Sequence, residues 1–204
     1  DEIMRVMNSY GANTIMTSDQ HLNGTSRVAE AVKKIECDEV ILVQGDEPLL
    51  LPSDLDIIIE NIRKSDGINF WNATSPINEF EELSMDSIVK CSIHNNRILY
   101  CYRNSPSHSS FDDQKIYIKK ILGVIAFKKK FLMEIAEMDS TPIEIIESIE
   151  QMRIIEKGYS IQSIPLKLSQ PSINEPNDLK KVLNIIDNNF EQQSILKQVL
   201  NHQL

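Results

Sequence analysis

Asp46 and Glu47 are adjacent carboxylates at the end of an apolar run, within the stretch VILVQGDEPLLLPSDL. Val40 to Val43 is short, apolar and β-branched, as expected of a strand buried in a parallel sheet. Gln44, Gly45, Asp46 and Glu47 then put polar groups at the carboxyl end of that strand, which is where open α/β sheets bind ligands. Paired carboxylates there suit a metal ion or a phosphate-bearing ligand. On residue type alone, capping of the following turn is the preferred reading of the pair, and its strand-end position is what favours a ligand. Gly24-Thr25 taken by itself is a loop, and Asn23-Gly24-Thr25 also matches a glycosylation sequon, although the chain has no secretion pattern to go with it. His21, His94, His108 and His202 lie in unrelated contexts without spaced partners and read as surface residues.

The elements that must position these groups follow from periodicity. A helix over 2–9 ends at Tyr10-Gly11, a short strand covers 13–16, and a polar loop follows over 17–25. Ser26 to Ile35 is helical with Val28, Val32 and Ile35 on one face. Pro52-Ser53-Asp54 starts a helix to 64 in which Leu55, Ile58, Ile59 and Ile62 recur at helical spacing. This strand–helix alternation predicts a parallel sheet wrapped by helices. The middle is richer in β-structure: strands over 70–75, 87–93 and 97–102, with a hairpin turn at His94-Asn95-Asn96, then a polar loop over 107–114 and a β-rich stretch over 116–127 broken by Gly123. A helix over 129–138 follows. Another runs from Thr141-Pro142 to Lys157-Gly158, then a strand over 160–168, a helix from Pro176, and a helical or frayed end from 192 to 204.

The 204 residues suffice for one domain with a sizeable core, and 41% hydrophobic with 25% charged residues is an ordinary globular composition. A net charge of −9 argues against binding to a nucleic-acid backbone, though it leaves room for a single nucleotide at a local site. Cys37, Cys91 and Cys101 form no CxxC pair and no His/Cys cluster, so reduced thiols and a cytoplasmic location are expected. No apolar run reaches the ~18 residues of a membrane span.

Three stretches together carry a resemblance: HLNGTSRVAEA, VQGDEPLL and IEIIESIEQMRIIEKGYSI, with VKCSIHNNRILYCYRNSP between the last two and PSINEPNDLKKV at the end. In content and order they resemble the 3-deoxy-manno-octulosonate cytidylyltransferases. The resemblance implies an α/β, Rossmann-like nucleotidyltransferase fold: a mostly parallel sheet flanked by helices, with a smaller β-rich region for dimerisation and sugar binding. It implies CTP and an acidic sugar as substrates, Mg²⁺ as cofactor, a homodimer, and neither nucleic-acid nor membrane partners. In this family the sugar's anomeric hydroxyl attacks the α-phosphate of CTP and pyrophosphate leaves. By the same resemblance Asp46 is a magnesium ligand and Gln44 lies beside the sugar acid. Gly24, Thr25 and Arg27 belong to a loop that contacts the cytidine portion. Lys90 and Arg103 stand near the reacting groups, and Glu150 and Gln151 line the sugar pocket.

The chain also departs from the family pattern. Asn174 stands where the family has an Asp as second magnesium ligand; an amide oxygen can coordinate but brings no charge. Ile121 and Ile125 stand where the family has a His and a Tyr that touch the sugar, so those hydrogen bonds are lost at ~1–3 kcal/mol each. The family's first strand, its basic glycine loop and the following helix precede the region that matches Asp1, and the sequence is expected to be part of a longer gene product. The reading is therefore a single nucleotidyltransferase domain that activates Kdo or a related ulosonic acid. The alternatives are a relative of the same fold acting on a different acid, or a lapsed homologue that keeps only binding or structure.

Overall fold

The computed structural model describes residues 2–21, 23–167, 171–173 and 176–201. In chain order, helices α1 (Glu2–Ser9) and α2 (Gly24–Val32) precede strand β1 (Glu39–Val43), then α3 (Pro52–Lys64) leads to β2 (Phe70–Pro76). A 3₁₀ turn at Phe80–Leu83 comes before the hairpin of β3 (Lys90–His94) and β4 (Arg97–Tyr102). Next are α4 (Phe111–Tyr117), the long strand β5 (Ile118–Lys128), α5 (Lys129–Ala136), α6 (Pro142–Glu147) and α7 (Gln151–Glu156). Strand β6 (Ile161–Pro165) and helices α8 (Pro176–Asn188) and α9 (Phe190–Asn201) follow.

Among the described residues the strands form one sheet in the order β1-β5-β2-β6-β4-β3, closed by a further β3–β5 pairing. The α/β class with flanking helices is as expected, but the strand directions need a correction. Only β2–β6 is a parallel pair; β5 runs antiparallel to β1, β2 and β3, and β4 antiparallel to β3 and β6. The apolar runs do point one way in β1, β2 and β6, but β5 inserts between β1 and β2 and turns their contacts antiparallel. An apolar run records burial on both faces, not the direction of its neighbour.

Strand β5 sorts the core by its period of two. Ile125 and Phe127 face a cluster with Val40, Leu42, Ala29 of α2, Phe131, Leu132 and Ile135 of α5, and Met152 of α7. Val124 and Ala126 face the other side, against Trp71, Ala73 and Ile58 and Ile62 of α3. Phe70 meets Phe127 edge to face with ring centroids 4.9 Å apart. A third cluster of Ile77, Leu83, Tyr102 and Ile118 lies under the hairpin end, with Phe111 and Tyr117 packed on it.

Three local expectations are corrected. Residues 13–16 form no strand, because nothing pairs with them. The polar stretch over 107–114 holds the start of α4, whose first turn is capped by Ser110 accepting from the Asp113 N–H at 3.2 Å. The helix from Thr141 breaks into α6 and α7 at Ser148, which sits at φ 52°, in the left-handed region. The hairpin turn lacks Asn-Gly, yet Asn95 (φ 49°) and Asn96 (φ 57°) adopt the two positive angles it needs. Asn tolerates that conformation better than most side chains.

Candidate active-site cleft

The site arises where two strands share one edge of β5 and part. β1 pairs with residues 124–128 of β5, and β3 pairs with residues 118–120. Between them the last backbone links are Gln44 N–H to Gly123 O (2.9 Å) and Ile121 N–H to Val89 O (2.9 Å). The carboxyl end of β1 thus faces the start of β3 across a gap, and a cleft of about 840 Å³ opens there. A crevice beyond a strand's carboxyl end is the usual ligand position in such sheets.

Gln44, Asp46 and Glu47 line this cleft. Asp46 is half-buried, and among the described residues its carboxylate has no hydrogen-bond or ion-pair partner. Its backbone carbonyl accepts from Ile173 N–H at 2.9 Å, which fastens residues 171–173 to the strand end. Glu47 behaves differently. Its Oε1 accepts from the Gly123 N–H at 2.9 Å, and burial pushes its pKa up, partly offset by hydrogen bonds from Gly123 and Ser172. The two adjacent carboxylates therefore differ: Glu47 ties the turn after β1 to β5, while the Asp46 carboxylate meets no partner among the described residues.

Gly24 borders the cleft at the start of α2, where Asn23 Oδ1 caps the Ser26 N–H at 2.9 Å. Thr25 is buried behind it, beside Glu150. Glu150 and Gln151 line the cleft at the start of α7. Burial pushes the Glu150 carboxyl up against the opposing pull of Thr25, and its Oε1 has no hydrogen-bond partner among the described residues. Gln151 donates to Asn72 Oδ1 at 2.8 Å, and Asn72 in turn donates to the Leu122 carbonyl at 3.0 Å. This pair spans the register shift between β2 and β5, directly under the cleft floor.

Arg27, Lys90 and Arg103 do not border the cleft. Arg27 turns to the preceding loop, donating to Thr17 Oγ1 (2.8 Å) and Ser18 O (3.0 Å). Glu30 straps the same loop through the Ser18 N–H and His21, and the His21 contact holds the Glu30 carboxyl below its ordinary value. Lys90 is fully buried, and its ammonium donates to the carbonyls of Met85 (2.8 Å) and Ile88 (2.7 Å). Desolvation pushes its pKa down to about 8. Arg103 donates to the carbonyls of Asp86 (2.5 Å), Glu147 (2.9 Å) and Ser148 (3.0 Å). Met85, Ile88 and Ser148 all line the cleft, so both cations hold its walls from behind. Asn174 lies outside the described residues. Ile121 borders the cleft, whereas Ile125 belongs to the core.

Sequence reasoning missed Asn72, Glu82, Lys120 and Ser148. A buried polar pair joins Lys120 Nζ to Glu82 Oε1 at 2.5 Å on the cleft wall. The available signal was the Lys119-Lys120 pair, two cations at the start of a β-rich stretch whose following residues are apolar. Among the described residues no cluster of three or more His, Cys, Asp or Glu side chains could hold a metal without help from a ligand, and no helix is long and apolar enough to cross a membrane.

Comparison with known proteins agrees with this fold. The family model described as cytidylyltransferase matches residues 1–164. A 3-deoxy-manno-octulosonate cytidylyltransferase of Fusobacterium nucleatum is 31% identical over 182 residues, covering 89% of this chain and 74% of that protein. The protein of the same name from Acaryochloris marina is 30% identical with the same coverage. Among solved structures, a CMP:2-keto-3-deoxy-manno-octonic acid synthetase complexed with CTP superposes with a TM-score of 0.83 at 26% identity, covering 92% of this chain and 77% of that one. The chain thus spans about three-quarters of the length of these relatives. With the family motifs in order along the sequence and the strand-end cleft where they converge, the chain belongs to the cytidylyltransferase family.

Proposed function

We propose that this protein couples CTP to 3-deoxy-manno-octulosonate or a related ulosonic acid, releasing pyrophosphate and giving a CMP-sugar for cell-surface polysaccharide synthesis in the cytoplasm. The observation that carries the reading is the Asp46 carboxylate, without a partner among the described residues, on a cleft that Gly24, Glu150 and Gln151 also line. That lining suits a nucleotide at Gly24, with Thr25 backing it, and a sugar along Gln44, Glu150 and Gln151. Arg27, tied to the 17–18 loop, serves the nucleotide end by fixing that loop. Displacement at the α-phosphorus requires the sugar hydroxyl and the leaving pyrophosphate to lie in line, which is a task of positioning and of spreading negative charge.

Magnesium fits this floor, because an ion of that kind is commonly held by one or two carboxylates, with substrate phosphates and waters filling the remaining positions. Asp46 would hold it, with Asn174 as the second ligand. When bound, the ion supplies charge neutralisation at the triphosphate. Lys90 and Arg103 act on the reaction by fixing the 85–88 segment and the α6–α7 corner. Exposed apolar side chains at Leu99, Tyr100, Ile145 and Ile146 support a homodimer.

Pyrophosphate release with CTP, Mg²⁺ and a panel of ulosonic acids tests the reading. Turnover with at least one acid is expected; CTP binding without turnover on any acid contradicts it. A second reading, the same chemistry on a different acid, is favoured by Ile121, which presents an apolar surface at the cleft where the family carries a His.

A further inference from the structure

We propose that Lys120 is the residue that recognises the carboxylate of the acid substrate, which deepens the proposed function and rests on it. Lys120 is 5% exposed and borders the cleft, so its ammonium is committed to that wall and cannot swing into solvent. Glu82 holds it at 2.5 Å, and Glu82 is itself fixed by the N–H groups of Asn78 (2.7 Å) and Glu79 (3.2 Å). Among the described residues Glu82 is the one hydrogen-bond partner of Lys120 Nζ, and an ammonium carries three donors. The other cleft-lining lysine, Lys181, is exposed on α8 and paired with Asp178 at 2.9 Å.

The charges behind this wall favour an anion. Lys90 and Arg103 donate to neutral carbonyls, so neither cation is spent on a hydrogen-bonded carboxylate. Together with Lys120 they set three cations against Glu82 and Asp86. The β1 side of the cleft carries Asp46 and Glu47, the latter bonded to Gly123. An acidic substrate is therefore oriented with its carboxylate toward Lys120 and away from the paired carboxylates of the floor. Ile121, next in the chain, has no polar side-chain group, so Lys120 is the cationic side chain that this stretch of β5 presents to the cleft.

The test compares cytidylate transfer to 3-deoxy-manno-octulosonate and to its C1 amide in the unsubstituted protein, in K120R and in the double variant K120M/E82Q, which leaves no unpaired buried charge. The expected result is a rise of about 10- to 100-fold in KM for the acid in K120M/E82Q, the range of a charge-assisted hydrogen bond. KM for CTP should stay within about twofold, the preference for acid over amide should collapse, and K120R should restore most of it. A double variant that transfers to the acid with unchanged KM and undiminished preference overturns this inference alone. An unsubstituted protein that transfers cytidylate to no ulosonic acid overturns the proposed function and this inference with it.

Discussion

Glu47 Oε1 accepts the Gly123 N–H at 2.9 Å, and a methyl group on Gly123 would come within 2.8 Å of that same oxygen. The contact joins the turn after β1 to the middle of β5 at the point where the cleft opens. It also explains the glycine: a Cβ there would press on Glu47 Cγ at 3.1 Å and on Gln44 Cβ at 3.2 Å.

Gly123→Ala is expected to cost about 1–3 kcal/mol of stability, the usual cost of overpacking, and to lower turnover by displacing Gln44. The cost should shrink in a Glu47→Ala background, because the two sites are coupled through one contact. Urea unfolding of both single variants and the double variant checks this; strictly additive losses would contradict it.

Lys90 yields a pH dependence. Its folded pKa, pushed down to about 8 by desolvation, lies below its ordinary value of 10.5. Below pH 8 both folded and unfolded chains hold the proton, and the buried charge is a constant cost. Between pH 8 and 10.5 the folded form sheds it while the unfolded form keeps it, so stability rises with pH. Lys90→Met removes that contribution. Unfolding measured from pH 7 to 10 should show the unsubstituted protein gaining on Lys90→Met as pH increases, and a pH-independent difference would refute the assignment.

Much of this arrangement was legible in the sequence. The strand ending at Val43 and the carboxylates after it were marked by an apolar run meeting polar residues, and α3 by its helical spacing. Strand order was not legible, because β5 pairs with β1, β2 and β3 through contacts far apart in sequence. Lys90 and Arg103 were identified by resemblance as residues near the substrate; their positions behind the wall depend on carbonyls at 85–88 and 147–148, whose orientation no residue type records. The Gln151–Asn72 link escaped for the same reason: Asn72 is a buried polar residue of β2 whose amide is satisfied by the carbonyls at the bulge and whose Oδ1 is satisfied by Gln151, far away in sequence.

Gln151→Leu strips Asn72 Oδ1 of its donor while Asn72 stays buried. A loss of about 1–3 kcal/mol is expected from the unpaired acceptor, measured by chemical denaturation. Asn72→Leu combined with Gln151→Leu should recover part of it.

Arg103→Lys keeps the charge but not the planar fork that spans Asp86, Glu147 and Ser148. The cleft walls should loosen, with kcat/KM falling by about 100-fold, as misplacement of about an ångström does elsewhere. A thermal melt close to that of the unsubstituted protein would show that the loss is one of positioning. Unaltered kcat/KM would contradict the role given to Arg103.

The central proposal is that the Asp46 carboxylate, without a partner among the described residues at the end of β1, serves the nucleotide's phosphates. The direct measurement is pyrophosphate release by Asp46→Ala with saturating CTP, Mg²⁺ and the best acid substrate. The account predicts a fall of roughly a thousand-fold, the scale of losing a principal charge-stabilising group. Release at the unsubstituted rate would contradict it.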